Sequence, residues 1–187
     1  MHDEFDPDQL AVMAQLEPYL PRMYPLFGAA VELYNTEYPP MVRAQHDTRA
    51  TTSGIWCHLW HGFQAEFLDE PGFHFLEIKN LKVLNIKDQI LVRAKKVDAN
   101  GRHSNNDTAQ QRAYDAQEAL PGLPPAAARI VMGYQPDAAF SLVERVTVRR
   151  PRGAWVSQVV DEGEPRRWID ITPVELPFGR ERPARHG

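Results

Sequence analysis

The stretch Leu76-Glu77-Ile78-Lys79-Asn80-Leu81-Lys82-Val83-Leu84-Asn85-Ile86-Lys87-Asp88-Gln89-Ile90-Leu91-Val92-Arg93-Ala94-Lys95 decides the fold class. In it the hydrophobic period falls from that of a helix to that of a strand. Leu76 and Ile78, then Leu81 and Val83, then Leu84 and Ile86 place apolar residues two apart. The shift of phase predicts one strand with a slip or bulge near Leu84. Lys87-Asp88-Gln89 reads as a turn. Ile90, Val92 and Ala94 alternate with Leu91, Arg93 and Lys95, so a second strand pairs back.

Upstream the spacing is helical. Leu10, Met13, Leu16 and Leu20, then Leu26, Ala29, Ala30, Leu33 and Tyr34, predict helix between Pro7 and Tyr38. Asp6 or Asp8 can cap its start. Pro18, Pro21 and Pro25 are expected to break or restart it, because proline removes a donor and clashes with the preceding turn. Asp47 or Thr48 caps a second helix to about Asp69, with Trp56, Trp60, Phe63 and Phe67 on one apolar face. Pro71-Gly72 stops it.

Downstream, Asn105 to Asp107 can cap a short helix from Thr108 to about Ala119. Ala128–Tyr134, Leu142–Arg149 and Ala154–Val160 are strand candidates. The sum is an α+β fold: N-terminal helices packed on a mostly antiparallel sheet of four to five strands. One domain is expected over residues 1–177, with a flexible basic tail at 178–187.

Composition narrows the function classes. The net charge of −4 and pI near 6.0 argue against a generic nucleic-acid coat. A single cysteine, Cys57, allows no internal disulfide framework and points to a reducing compartment. The acidic start lacks the apolar core of a signal peptide, and no apolar run approaches a membrane span. These features predict a cytoplasmic protein with no membrane partner.

Two clusters carry candidate chemistry. In the first, His58 and His61 lie about 60° apart on the second helix, away from its aromatic stripe. That geometry leaves them free to face a cleft. His58 suits general acid–base work. A zinc site is the runner-up, formed by His58 and His61 with His46, Cys57 or His74 as the third ligand. Carboxylates are scarce nearby, which favours chemistry without a metal or other cofactor. A solvated polar helix face is the plain alternative.

The second cluster runs Arg93, Lys95, Lys96 and Asp98, then Arg102, Asn105 and Thr108. Arginine offers a bidentate fork for phosphate and lysine a point charge. The plain alternative is an edge strand protected by lysines. Tyr134, beside Gly133 at a strand end, is a further ligand-binding candidate, or simply a half-buried aromatic at a turn. Arg145, Arg149, Arg150 and Arg152 form a basic strip. Glu77-Ile78-Lys79 has the acid-x-lysine form of a nuclease strand, without a convincing acidic partner before it.

Several pieces together resemble an uncharacterised bacterial family. They are His46-Asp47-Thr48-Arg49-Ala50 with His58, Val92-Arg93-Ala94-Lys95-Lys96-Val97-Asp98 with Gly101, Asn105 to Gln110, Leu120-Pro121-Gly122-Leu123-Pro124, and Gly133-Tyr134. The family's genes often neighbour helix-turn-helix/zinc-metallopeptidase regulators in prophage or toxin–antitoxin-like loci. The resemblance implies one site built from Arg49 and His58 of the helix with Arg93, Lys95 and Asp98 of the strand.

The expected function is an effector or regulator of such a locus that binds or acts on a phosphate-bearing ligand, nucleic acid being one candidate. His58, Arg49 and Asp98 are its candidate catalytic residues. A cognate regulator or antitoxin is the expected protein partner. The alternatives are a non-catalytic module that sequesters a regulator, its interface formed by the aromatic-rich helices and the basic strip, and a metal-dependent hydrolase using the histidines.

Overall fold

A computed structural model describes residues 5–78, 81–98, 109–116, 118, 120–125, 127–151, 153, 155–162 and 166–173. The elements are α1 (Pro7–Leu16), α2 (Leu20–Glu37), α3 (Pro40–Arg43), α4 (Thr48–Phe67), β1 (Phe73–Ile78), β2 (Leu81–Ile86) and β3 (Ile90–Lys96). After them come α5 (Ala109–Asp115), β4 (Ala128–Pro136), β5 (Val143–Arg149), β6 (Val156–Val159) and β7 (Trp168–Asp170). The class is α+β, with helices packed on a mostly antiparallel sheet.

Local chemistry starts each helix. The Asp6 carboxylate accepts the Asp8 amide at 2.8 Å, with Pro7 preset for the first turn. The Asp47 carboxylate accepts the Ala50 amide at 2.7 Å and opens α4. Pro18 lies in the turn between α1 and α2, and Pro21 sits in the first turn of α2. Pro25 does not break the helix, contrary to its sequence reading. Coming just past the first turn, it deletes one backbone bond. The buried stripe Leu20, Met23, Phe27, Ala30, Val31 and Tyr34 outweighs a cost of about 3 kcal/mol.

Among the described residues the sheet has seven strands in the order β1-β2-β3-β4-β5-β6-β7, two or three more than the sequence suggests. There is no bulge near Leu84. Ile78 lies opposite Leu81, so the chain reverses between them and β1 and β2 form an antiparallel hairpin. The pattern misled because β2 is buried on both faces, which erases the alternation that marks a half-buried strand. β7 is only three residues long and leaves too short a period to read. β3 and β4 pair in parallel, with α5 between them in chain order.

Strand alternation then sorts the core. Leu84, Ile86, Ile90, Val92, Ile130, Met132, Val146 and Val148 face α1, α2 and α4 in the main cluster. Leu81, Val83 and Leu91 face the other way, against Tyr114, Leu123 and Ala127. Long-range polar contacts fix the helical layer. Gln9 donates to Ser157 Oγ and Asp170 Oδ1, both at 3.0 Å, and Asp8 takes Arg150 at 2.6 Å and Trp155 Nε1 at 2.8 Å. Among the described residues, no helix is long and apolar enough to cross a membrane. The predicted tail at 178–187 lies outside the described residues.

Candidate functional site

An open cleft of about 730 Å³ separates the first half of α4 from the end of β3. Helix spacing builds one wall. Arg49, Thr52, Ser53, Trp56 and Cys57 follow i, i+3, i+4, i+7 and i+8, with Thr48 beside them. This stripe runs on into Trp60, Phe63 and Phe67. The same side of α4 is therefore polar at the cleft and apolar where it lies on the sheet, with all three aromatics buried. β3 supplies Lys95 and Lys96, whose side chains leave opposite faces of the strand near its end.

The charged residues among the described lining are all cations. Arg49, Lys95 and Lys96 each line the cleft, and none of the described lining residues is acidic. Burial pushes the Lys95 ammonium down to about 8, with the neighbouring Arg93 charge adding to the effect and Asp115 opposing it. Lys96 lies over the Phe140 ring at 5.0 Å. Phe140 holds a left-handed backbone (φ 54°), and its carbonyl accepts the Asn35 amide at 2.8 Å.

A smaller cavity of about 210 Å³ adjoins the cleft and shares Thr48 with it. There the Tyr34 hydroxyl donates to Thr51 Oγ1 at 3.2 Å and lies 2.6 Å from His46 Nδ1. Arg43 is hydrogen-bonded to the Asn35 side chain. Gly54 permits this packing, because a Cβ there would stand 2.7 Å from the Tyr34 ring.

The predicted residues divide between several places. Arg49 and Lys95, from distant segments, line the cleft together. His58 does not: its Nε2 faces Glu37 at the end of α2, 3.2 Å away. Nine residues at about 100° each put His58 half a turn from Arg49, so one helix cannot aim both into one hollow. The cleft thus lies on the aromatic side of α4 and not on its histidine side. His61 is exposed, and His46 is engaged by Tyr34. His46, His58 and His61 therefore have separate surroundings. Among the described residues no group of three His, Cys, Asp or Glu is placed to hold a metal.

Arg93 is buried on the opposite face of the sheet from α4. Its guanidinium lies 5.2 Å from the Tyr114 ring centre, and Arg129 lies 5.7 Å from the same ring. Burial lowers both arginines and raises the Tyr114 phenol. The Tyr114 hydroxyl bridges the carbonyls of Leu91 (2.7 Å) and Ile130 (3.0 Å), pinning α5 over the parallel pair. Asp98 is exposed just past β3. Tyr134 is fully buried, 5.9 Å from Phe27, and its hydroxyl has no hydrogen-bond partner among the described residues. It is a core residue because the even-numbered positions of β4 face the helices. Arg102, Asn105 and Thr108 lie outside the described residues. Sequence reasoning passed over Thr52, Ser53 and Trp56, although their helical spacing from Arg49 was legible.

Comparison with protein-family models, with curated proteins and with solved structures finds no match.

Proposed function

We propose that this protein binds a phosphate-bearing ligand in the cleft between α4 and β3. One observation carries the reading. Three cations from two distant segments converge on an open hollow with no described acidic residue in its lining, in a chain of net charge −4. Such convergence costs self-repulsion and is offset when an anion sits among the charges. Arg49 offers a fork to phosphate oxygens, and Lys95 and Lys96 offer point charges. Thr48, Thr52 and Ser53 add hydroxyl donors, while Trp56 provides an aromatic wall for a base. The volume falls within the range of small-ligand sites.

In this reading the protein is an effector or regulator of the kind the family resemblance implies, with a nucleotide or single-stranded nucleic acid as candidate ligands. His58 plays no part in the binding step. Of the α4 aromatics, Trp60, Phe63 and Phe67 are buried in the core, and Trp56 lines the cleft.

Titration calorimetry with pyrophosphate, a nucleoside triphosphate and a short single-stranded oligonucleotide tests the proposal. Binding should weaken with salt and fall at least tenfold in the double variant Arg49→Ala/Lys96→Ala. A wild-type chain that takes up none of the three, or a double variant that binds as well as wild type, would overturn it.

A further inference from the structure

The chain has five lysines: Lys79, Lys82, Lys87, Lys95 and Lys96. The structure treats the four described ones differently. Lys82 lies over the Trp56 and Trp60 rings at 5.5 and 5.9 Å, with Glu77 3.6 Å away. Lys87 lies over Tyr19 at 5.5 Å, and Lys96 over Phe140 at 5.0 Å. An aromatic face favours the charged ammonium. Among the described residues, no ring lies over Lys95. It is mostly withdrawn from water, shares a strand face with the buried Arg93, and lines a cleft whose other described cations are Arg49 and Lys96. Desolvation beside other cations turns a lysine into a nucleophile, because it disfavours the ammonium.

We propose that Lys95 is a nucleophilic amine, and that the cleft takes phosphorylated aldehydes or ketones, held as a reversible imine on Nζ while Arg49 and Lys96 hold the phosphate. The proposal rests on the anion-binding reading and adds a covalent step to it. The neutral amine attacks the carbonyl carbon and a C–N bond forms. The resulting carbinolamine expels the former carbonyl oxygen as water, which carries away both amine hydrogens. Nothing is oxidised or reduced, and hydrolysis reverses the step. A folded-state value near 8, against 10.5 for an ordinary lysine, raises the neutral fraction at pH 7 by roughly 300-fold. Burial sets this value first, Arg93 on the same strand lowers it further and Asp115 of α5 opposes them, while Arg49 and Lys96 line the same cleft.

The test treats the full chain with limiting pyridoxal 5′-phosphate as a phosphorylated aldehyde, with unphosphorylated pyridoxal as the control. Imines are trapped with borohydride and mapped by peptide mass spectrometry, while calorimetry with pyrophosphate follows anion binding separately. The expected result is an adduct on Lys95 at least tenfold above any other lysine, formed faster as pH rises to about 8 and levelling there. Lys95→Arg and Lys95→Met should both lose the adduct, and Lys95→Arg should still bind pyrophosphate. Arg49→Ala should slow trapping. An adduct spread over the lysines, with pyrophosphate still bound, would overturn the imine and leave the anion site standing. Equal trapping of pyridoxal and its phosphate on Lys95, without pyrophosphate binding, would overturn the phosphate-holding role and leave the amine. Absence of both adduct and binding would overturn the two together.

Discussion

Arg49 at the start of α4 and Lys95 near the end of β3 line the same cleft, whereas Arg93, on Lys95's own strand face, is sealed against Tyr114. One strand therefore delivers one cation to a hollow and another to the core. The division produces consequences that separate binding from folding.

His58→Ala should leave pyrophosphate affinity within about twofold of wild type, because His58 faces Glu37 on the far side of α4. Calorimetry on the single variant measures this. A loss of tenfold or more would mean that the imidazole reaches the ligand after all.

Arg93→Ala should behave in the opposite way. Removing a buried guanidinium stacked on Tyr114 opens a cavity and should cost about 2–4 kcal/mol of stability. Tyr114→Ala should cost about 3–5 kcal/mol, and Tyr114→Phe only about 0.5–1.5 kcal/mol for the lost hydroxyl bonds. Urea unfolding of the three variants gives the order. A Tyr114→Phe variant as unstable as Tyr114→Ala would show that the hydroxyl, and not the ring, holds α5 down.

Gly54→Ala is expected to destabilise despite alanine's better helix propensity. The added Cβ would meet the Tyr34 ring at 2.7 Å, and the ring or the helix must shift to relieve it. Overpacking of about 1–3 kcal/mol exceeds the roughly 1 kcal/mol gained from propensity. A higher midpoint in urea for Gly54→Ala would show that the two helices pack less closely than described.

Lys95 also makes stability depend on pH, and its sign is opposite to that of a paired lysine. Its folded value of about 8 lies below 10.5, so between these values the unfolded chain binds more protons and stability rises with pH. Below about 8 both states are protonated and the folded state carries the full cost of the buried charge. Lys95→Met should therefore be more stable than wild type at pH 7, with the gap closing as pH rises toward 10.5. Parallel thermal scans of the two proteins from pH 7 to 10.5 measure the gap; a constant difference would rule out the depressed value.

Asp137 gives the acid counterpart. The Ser141 hydroxyl bond leads the contacts that hold its carboxyl below 3.8, helped by the Leu142 and Ser141 amides. The stability this supplies is present above the ordinary carboxylate value and is lost as pH falls through the lower folded one. Ser141→Ala should flatten the fall of melting temperature below about pH 4. An unchanged slope would remove Asp137 from the acid response.

Much of the helical layer was legible because its signals are local. Asp6 and Asp47 cap helices through contacts two and three residues away, and the Trp60, Phe63 and Phe67 stripe needs only a period of 3.6. The hairpin at Ile78 and Leu81 was not, because β2 is covered on both sides and its partner layer comes from much later in the chain. The site was read in part. Arg49, Lys95 and Lys96 were singled out by type, and Thr52, Ser53 and Trp56 stood at readable offsets from Arg49. The pairing of His58 with Arg49 ignored the half-turn that any helix imposes between them.

By itself the sequence determined the α+β class, the starts of α1 and α4, the reversal after Ile86, and which residue types could hold an anion, since each depends on neighbours within a few positions. Only the tertiary structure decided the parallel pairing of β3 with β4, the burial of Arg93 and Tyr134, and the meeting of Arg49 with Lys95. Those outcomes depend on which layer covers each strand face, a matter settled by packing between elements far apart in the chain and carried by no local pattern.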